Sequence, residues 1–184
     1  MRVAITRSLL LSVTACLIAG LLGCGYSARS LLPSGYRTVY VENFLNRISV
    51  AQETNDTRMY RGYRHRLEGD ITKAVTDRFI LDGNLRIANP DQADLILKGE
   101  LIDFKKEALR YDRNDTIEEY RIRLIVDIQL VDAGKNIVLW REKSFAGEST
   151  YRTTGSLATG EEGAIQEAQE DLARRIVERV IEGW

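Results

Sequence analysis

Few side chains in this sequence are of types and spacings that do chemistry, and they fall into three groups. The first is thiol: Cys16 and Cys24 are the only cysteines. The second is basic: Lys105, Lys106, Arg110, Arg113 and Arg152, where guanidinium forks suit two-point binding of phosphate or carboxylate. The third is acidic: Asp103, Glu118 and Glu119 could pair as a catalytic dyad, although a solvated strand surface accounts for them equally well. His65 is the only histidine, so neither a His-rich metal site nor a nucleophile with a second histidine is available. No G-x-S-x-G, Walker A or dinucleotide fingerprint occurs. The glycine-containing stretch TTGSLATGEEG, Thr153 to Gly163, precedes a helix as a phosphate cradle would, but it lacks the lysine and reads as a flexible loop with a helix cap. The chain is therefore read as a non-enzyme without metal or cofactor.

Cys24 has a context of its own. Arg2 and Arg7 precede a run without charge from Ser8 to Leu22, which ends in Gly23, Cys24 and Gly25. A basic tip, an apolar segment and a small-residue exit form the order of a secretory signal. The segment is about 15 residues, short of the roughly 20 that a helix needs to cross hydrocarbon. LLGC, Leu21 to Cys24, resembles the bacterial lipobox, in which the cysteine is lipidated and the chain is cut just before it. VTAC, ending at Cys16, fits the same pattern loosely, but only about six uncharged residues separate it from Arg7, too few for an apolar region of roughly 7–15. Cys24 is the favoured site, which makes residues 1–23 a signal peptide and Cys24 the mature N-terminus. A diacylglyceryl, N-acylated cysteine of the palmitate type would hold the chain on a membrane, since each buried methylene contributes about 0.8 kcal/mol. The following Gly25, rather than Asp, points to the periplasmic face of the outer membrane.

The elements that position the basic residues follow from patterning. Without residues 1–23 the chain keeps 161 of its 184 residues and carries a net charge of about −3, so a global cationic field for nucleic acid is absent. Residues 24–36 read as a Ser-, Gly- and Pro-rich tether, and 37–184 as one domain. RTVYVENF, Arg37 to Phe44, reads as a strand. A helix is expected from about Thr57 to Gly83, with Tyr60, Tyr63, Leu67, Ile71, Ala74, Val75 and Phe79 on one face. A short strand at Leu85 to Ala88 and a longer one at Leu95 to Phe104 follow. Tyr120, Ile122, Leu124, Val126, Ile128 and Leu130 alternate with a face that is polar except at Ile125 and Val131, the pattern of a half-buried strand. Asp132 to Lys135 is a turn, and Ile137 to Phe145 returns. Glu161 to Trp184 is an amphipathic helix, with Ile165, Ala168, Leu172, Ile176 and Val180 in one stripe and Glu170–Arg174 and Asp171–Arg175 at i,i+4 spacing. The expected fold is α+β: a mostly antiparallel, mixed sheet of four to five strands with two helices on one face. A turn at Asn114 and Asp115 then puts Arg110 and Arg113 at one sheet end, and the next hairpin brings Thr150 to Arg152 back to it, with Lys105 and Lys106 a few residues below.

Several stretches together resemble the LPS-assembly lipoprotein (LptE) family: CGY at Cys24 to Tyr26, VYVENFLN at Val39 to Asn46, ADLILKGEL at Ala93 to Leu101, YDRNDTIEEY at Tyr111 to Tyr120, VLW at Val138 to Trp140, and the alanine-bearing C-terminal helix. The resemblance spans essentially the whole mature chain and departs from the family in a longer Arg- and Tyr-rich passage around residues 49–66. It implies a role without turnover: a plug in the lumen of the LptD outer-membrane barrel, which helps that barrel assemble and contacts lipopolysaccharide on its way to the outer leaflet. A polar lumen suits a compact domain with a charged surface. The family's matching loop carries a basic residue before an Asn, which corresponds to Arg113 and Asn114; together with the hairpin count, which gathers Arg110, Arg113 and Arg152 with Lys105 and Lys106 just below, the resemblance makes these five the expected contacts to lipid A phosphates. Solvated hairpin charges, some paired with Asp112 or Asp115, are the plainer account. The basic cluster RMYRGYRHR, Arg58 to Arg66, could meet acidic barrel lining or headgroups, or form a helix face with buried tyrosines. VYVENFLN also resembles a strand of periplasmic lipoproteins that activate a peptidoglycan synthase, which is the rival reading. A soluble lipid carrier is a third, hindered by a permanent anchor.

Overall fold

Alternating burial runs from Leu95 to Asp103, and the strand it marks continues to Tyr111 as the spine of the domain. The computed structural model describes residues 33, 35–49, 54–55, 59–61, 64–155 and 158–183, with 54–55 and 59–61 described by backbone alone. The expected signal peptide, Cys24 and most of the expected tether lie outside the described residues. In chain order the elements are β1 (Thr38–Val41), β2 (Leu45–Asn46), β3 (Thr54–Asn55), β4 (Met59–Arg61), α1 (Leu67–Asp82), β5 (Arg86–Ile87), β6 (Leu95–Tyr111), β7 (Ile117–Asp132), β8 (Ile137–Arg152) and α2 (Glu161–Glu182).

Three long strands form an antiparallel meander. β6 pairs with β7 from Leu95↔Asp132 to Tyr111↔Ile117, and β7 pairs with β8 from Glu119↔Arg152 to Asp132↔Ile137. The other edge of β6 is covered piecewise: β1 parallel at Leu95 to Leu97, β2 parallel at Glu100 and Leu101, then β4 antiparallel at Lys105 to Glu107. β5 extends β1 and β3 extends β4. The α+β class and the mixed, mostly antiparallel sheet are as expected. The strand count is higher than four to five because short segments tile one long edge.

Both helices lie on one face. Ile122, Leu124, Val126, Ile128 and Leu130 of β7 join Ile165, Ala168, Leu172, Ile176 and Val180 of α2 and Leu67, Ile71, Val75 and Phe79 of α1 in a single buried core. Two glycines permit the close packing. A Cβ at Gly147 of β8 would sit 2.6 Å from the Leu172 Cα and N, so only glycine lets α2 approach there. A Cβ at Gly99 of β6 would run into the Phe44 ring.

Three expectations are corrected. The first helix begins at Leu67, not near Thr57, because the backbone of Met59–Arg61 is paired along the free edge of β6; a sheet edge with unpaired amides outcompetes a local helical pattern there. Gly83 does end that helix, with φ 76° and its amide donating to the Phe79 carbonyl at 3.1 Å. β6 and β8 are longer than Leu95 to Phe104 and Ile137 to Phe145. On α2, Arg174 pairs with Asp171 and with Glu178 at 2.9 Å rather than with Glu170. Arg175 instead lies 5.4 Å over the Phe145 ring and donates to the Ala146 carbonyl, because it faces the open edge of β8. Asp171 serves the same edge by accepting the Glu148 amide at 3.1 Å.

Candidate functional site

The hairpin ends define two poles. At one, the described chain enters and is fastened. The Tyr36 hydroxyl donates to Asp132 at 2.8 Å, and Asp94 accepts the amides of Arg37 and Thr38 at 2.8 and 2.9 Å and the Thr38 hydroxyl at 2.8 Å. Hydrogen bonds from the Arg37 amide and the Thr38 side chain hold the Asp94 carboxyl below its usual range, and bonds from the Lys135 amide and Tyr36 do the same for Asp132. The 16 residues of β7, at about 3.3 Å each, put the other pole about 50 Å away.

That far pole holds the predicted arginines. Arg110, Glu119 and Arg152 form one rank across β6, β7 and β8, as counting back through the two hairpins requires. Arg113 sits in the β6–β7 turn, which Asp112 builds by accepting the amides of Asn114 at 2.7 Å and Thr116 at 2.8 Å, with Asp115 at φ 58°. The three arginines share a pole but differ in commitment. Register shifts on both sides of Arg110 bring two carboxylates to it: Glu119 at 2.6 Å and Glu118 at 3.4 Å. Arg113 and Arg152 are exposed and hold no ion pair among the described residues. Thr153 fastens the end of β8, its amide donating to the Glu118 carbonyl at 3.0 Å and its hydroxyl to the Ile117 carbonyl at 2.7 Å.

The two lysines are not brought to this rank. Adjacent residues of a strand face opposite sides, and Lys105 lies on the face away from the helices, 3.6 Å from Asp103, whose side chain is only 9% exposed. Lys106 lies under the start of α2, where its ammonium meets Glu161 at 2.9 Å and the Tyr120 ring at 5.2 Å. Glu161 also takes Arg64 at 2.9 Å and the Tyr151 hydroxyl at 3.2 Å, and Tyr151 stacks on Tyr120 at 5.4 Å. Partial burial pushes the Glu161 carboxyl up, but Lys106, Arg64 and Tyr151 together bring it below its usual value; the Tyr151 phenol is raised, first by burial and then by Glu161. The acidic trio that could have made a dyad is distributed among these pairs, Asp103 beside Lys105 and the two glutamates around Arg110.

Sequence reasoning missed Glu118 and Glu119 as partners of Arg110 and Glu161 as the hub of a cluster. The signal for Glu161 was its place in the first turn of a helix, where a carboxylate is favoured. Among the described residues no group of His, Cys, Asp and Glu could hold a metal ion, and no helix is long and apolar enough to cross a membrane.

Comparisons with known proteins give a fold and a family. The hypothetical protein CT253 from Chlamydia trachomatis is 12% identical, with a TM-score of 0.50 over 79% of this chain and 95% of that one, a likeness of fold. Rare lipoprotein B from Shewanella oneidensis is 14% identical, with a TM-score of 0.45 over 78% of this chain and 91% of that one. Uncharacterized lipoprotein B from Nitrosomonas europaea is 18% identical, with a TM-score of 0.45 over 82% and 84%. No curated protein sequence matches the chain significantly. The family described as LptE, lipopolysaccharide-assembly, matches residues 36–180, from the tyrosine that fastens the entry pole to Val180 on the buried stripe of α2. On that match, which takes in every described strand and nearly all of the second helix, the chain belongs to the LptE lipopolysaccharide-assembly family.

Proposed function

We propose that the chain is an outer-membrane lipoprotein, anchored through Cys24 on the periplasmic side, that plugs and helps assemble an LptD-like β-barrel and contacts lipopolysaccharide at its arginine pole. It performs no turnover. The observation that carries this reading is the family match over residues 36–180. The two-pole layout supports it, because a tether entering at Tyr36 and an arginine rank about 50 Å away suit a domain that is held at one membrane face and reaches toward the other. Arg113 and Arg152 are the phosphate-facing pair, their guanidinium forks uncommitted among the described residues. Arg110 braces the rank while held by Glu118 and Glu119. Lys105 and Lys106 stand behind it, each with an acidic partner.

The test is binding of the full chain to lipopolysaccharide with and without its phosphates. Charge reversal of both Arg113 and Arg152 to Glu should weaken binding of the phosphorylated form and steepen its loss at low salt, since exposed charges are screened over about 8–10 Å at physiological ionic strength. Equal affinity for both forms, or an unaffected double variant, would remove the phosphate site. The anchor has its own check: Cys24→Ala should release the chain from membranes, and retention there would remove the lipidation reading.

A further inference from the structure

The charges of the arginine pole do not sum to a cationic field. Arg110, Arg113 and Arg152 share it with Asp112, Asp115, Glu118 and Glu119, and four carboxylates outnumber three guanidiniums. The forks of Arg113 and Arg152, which hold no ion pair among the described residues, can still grip a phosphate at short range, but a pole without net positive charge does not draw an anion from a distance. The rest of the attraction must come from something other than charge.

The same pole supplies it. Leu109 is 40% exposed and Tyr111 39% exposed, and they flank Arg110 directly. Neither belongs to the buried core or to the partly buried residues packed against it. They stand out where β6 loses regular register, with shifts between Ala108 and Arg110 and again between Arg110 and Tyr111. Such bulges re-aim side chains and recur at functional edges. Other exposed large apolar residues lie away from the arginines, among them Ile80 and Leu81 on α1 and Ile137 and Val138 beside the entry pole.

We infer that Leu109 and Tyr111 hold the acyl portion of a phosphorylated glycolipid while Arg113 and Arg152 hold its phosphates, so that the pole recognises an amphiphile rather than an anion. This rests on the lipopolysaccharide reading above and names the part of the molecule that the arginines do not explain. Apolar side chains beside uncommitted guanidinium forks match a lipid at the junction of chain and headgroup. The apolar share is insensitive to salt, because burial of apolar area depends little on ionic screening.

The experiment uses the full chain, held in amphipol and immobilised, with three probes: intact lipopolysaccharide, its dephosphorylated form, and its deacylated but phosphorylated saccharide. The variants are Leu109→Ser/Tyr111→Ser and Arg113→Glu/Arg152→Glu, with Leu109→Ser alone as the milder change and thermal melting as the control for folding. The apolar pair should lose about tenfold in affinity for intact lipopolysaccharide, by the same factor at low and high salt, and should bind the deacylated saccharide as the parent chain does. The arginine reversal should lose affinity for both phosphorylated probes, most at low salt. If the apolar variants bind intact lipopolysaccharide like the parent while the arginine reversal still weakens it, the inference is overturned and the phosphate site stands. If the parent chain binds none of the probes, both fall.

Discussion

Lys106 of β6 donates to Glu161, the first residue of α2, at 2.9 Å, and so ties the middle of the sheet to the start of the last helix. Arg64, just before α1, reaches the same carboxylate at 2.9 Å. One acid thus joins the sheet and both helices at the end of the core nearest the arginine pole. Lys106→Met should cost about 1–2 kcal/mol in denaturant unfolding, the range for a hydrogen bond to a charged group in a partly solvated site. It should leave affinity for lipopolysaccharide unchanged. A Lys106→Met chain of full stability but weakened glycolipid binding would put this lysine among the ligand contacts instead.

Gly147 and Gly69 make opposite predictions for the same substitution. At Gly147→Ala the new methyl meets Leu172, including its backbone, which cannot swing aside, so α2 must lift from β8 at a cost of about 1–3 kcal/mol. At Gly69→Ala, within α1, nothing lies within 4 Å of the added carbon, and the better helix former should stabilise by up to about 1 kcal/mol. Melting temperatures of the two variants read the signs directly. Equal shifts would mean that the helix does not sit against the sheet at Gly147.

Val126 and Gln129 test which face of the sheet is dry. Val126 is fully buried under the helices, whereas Gln129 lies on the opposite face and accepts from Arg141 at 2.7 Å. Val126→Asp should destabilise by several kcal/mol, about 3 or more, through an unpaired buried charge. Gln129→Asp keeps an acceptor opposite Arg141 and should stay within about 0.5 kcal/mol. Equal losses in a denaturation experiment would place the helices on the wrong face.

Acid should loosen the domain through its fastened carboxylates. Asp94, Asp132 and Glu161 all titrate below their ordinary values in the folded chain. Their contribution is therefore complete above the unfolded carboxylate range of about 4 and is lost as pH falls through the lower folded values. Asp94→Asn should lower stability at neutral pH by about 1 kcal/mol, since the acceptor for two amides loses its charge, and should flatten the acid limb of the stability profile. An unchanged acid limb would show that the Asp94 bonds to Arg37 and Thr38 are not maintained in solution.

How much of this was legible in the sequence depended on whether local pattern or distant pairing decided the outcome. The strand from Tyr120 to Leu130 was plain because one face is dry and the other mostly wet, and a period of two records that difference residue by residue. The stripe from Ile165 to Val180 was plain for the same reason at a period of 3.6. The start of α1 was not. Tyr60, Tyr63 and Leu67 keep helical spacing, yet the Met59–Arg61 backbone is taken by β6 more than 40 residues later in the chain. Counting through hairpins did put Arg110 and Arg152 on one rank, since turn positions were marked by Asn114, Asp115 and Gly134. The glutamate partners of Arg110 were hidden because bulges shift register by a residue without any mark in composition.

The central claim, a lipoprotein partnered with an outer-membrane barrel, is tested most directly by purifying the intact chain from cell membranes and identifying what comes with it. The account predicts a large β-barrel protein of the LptD type, recovered in a stable complex that survives a high-salt wash, because plugging a lumen rests on shape and many short-range contacts. Recovery with a peptidoglycan synthase, or recovery of the chain alone under the same conditions, would contradict it.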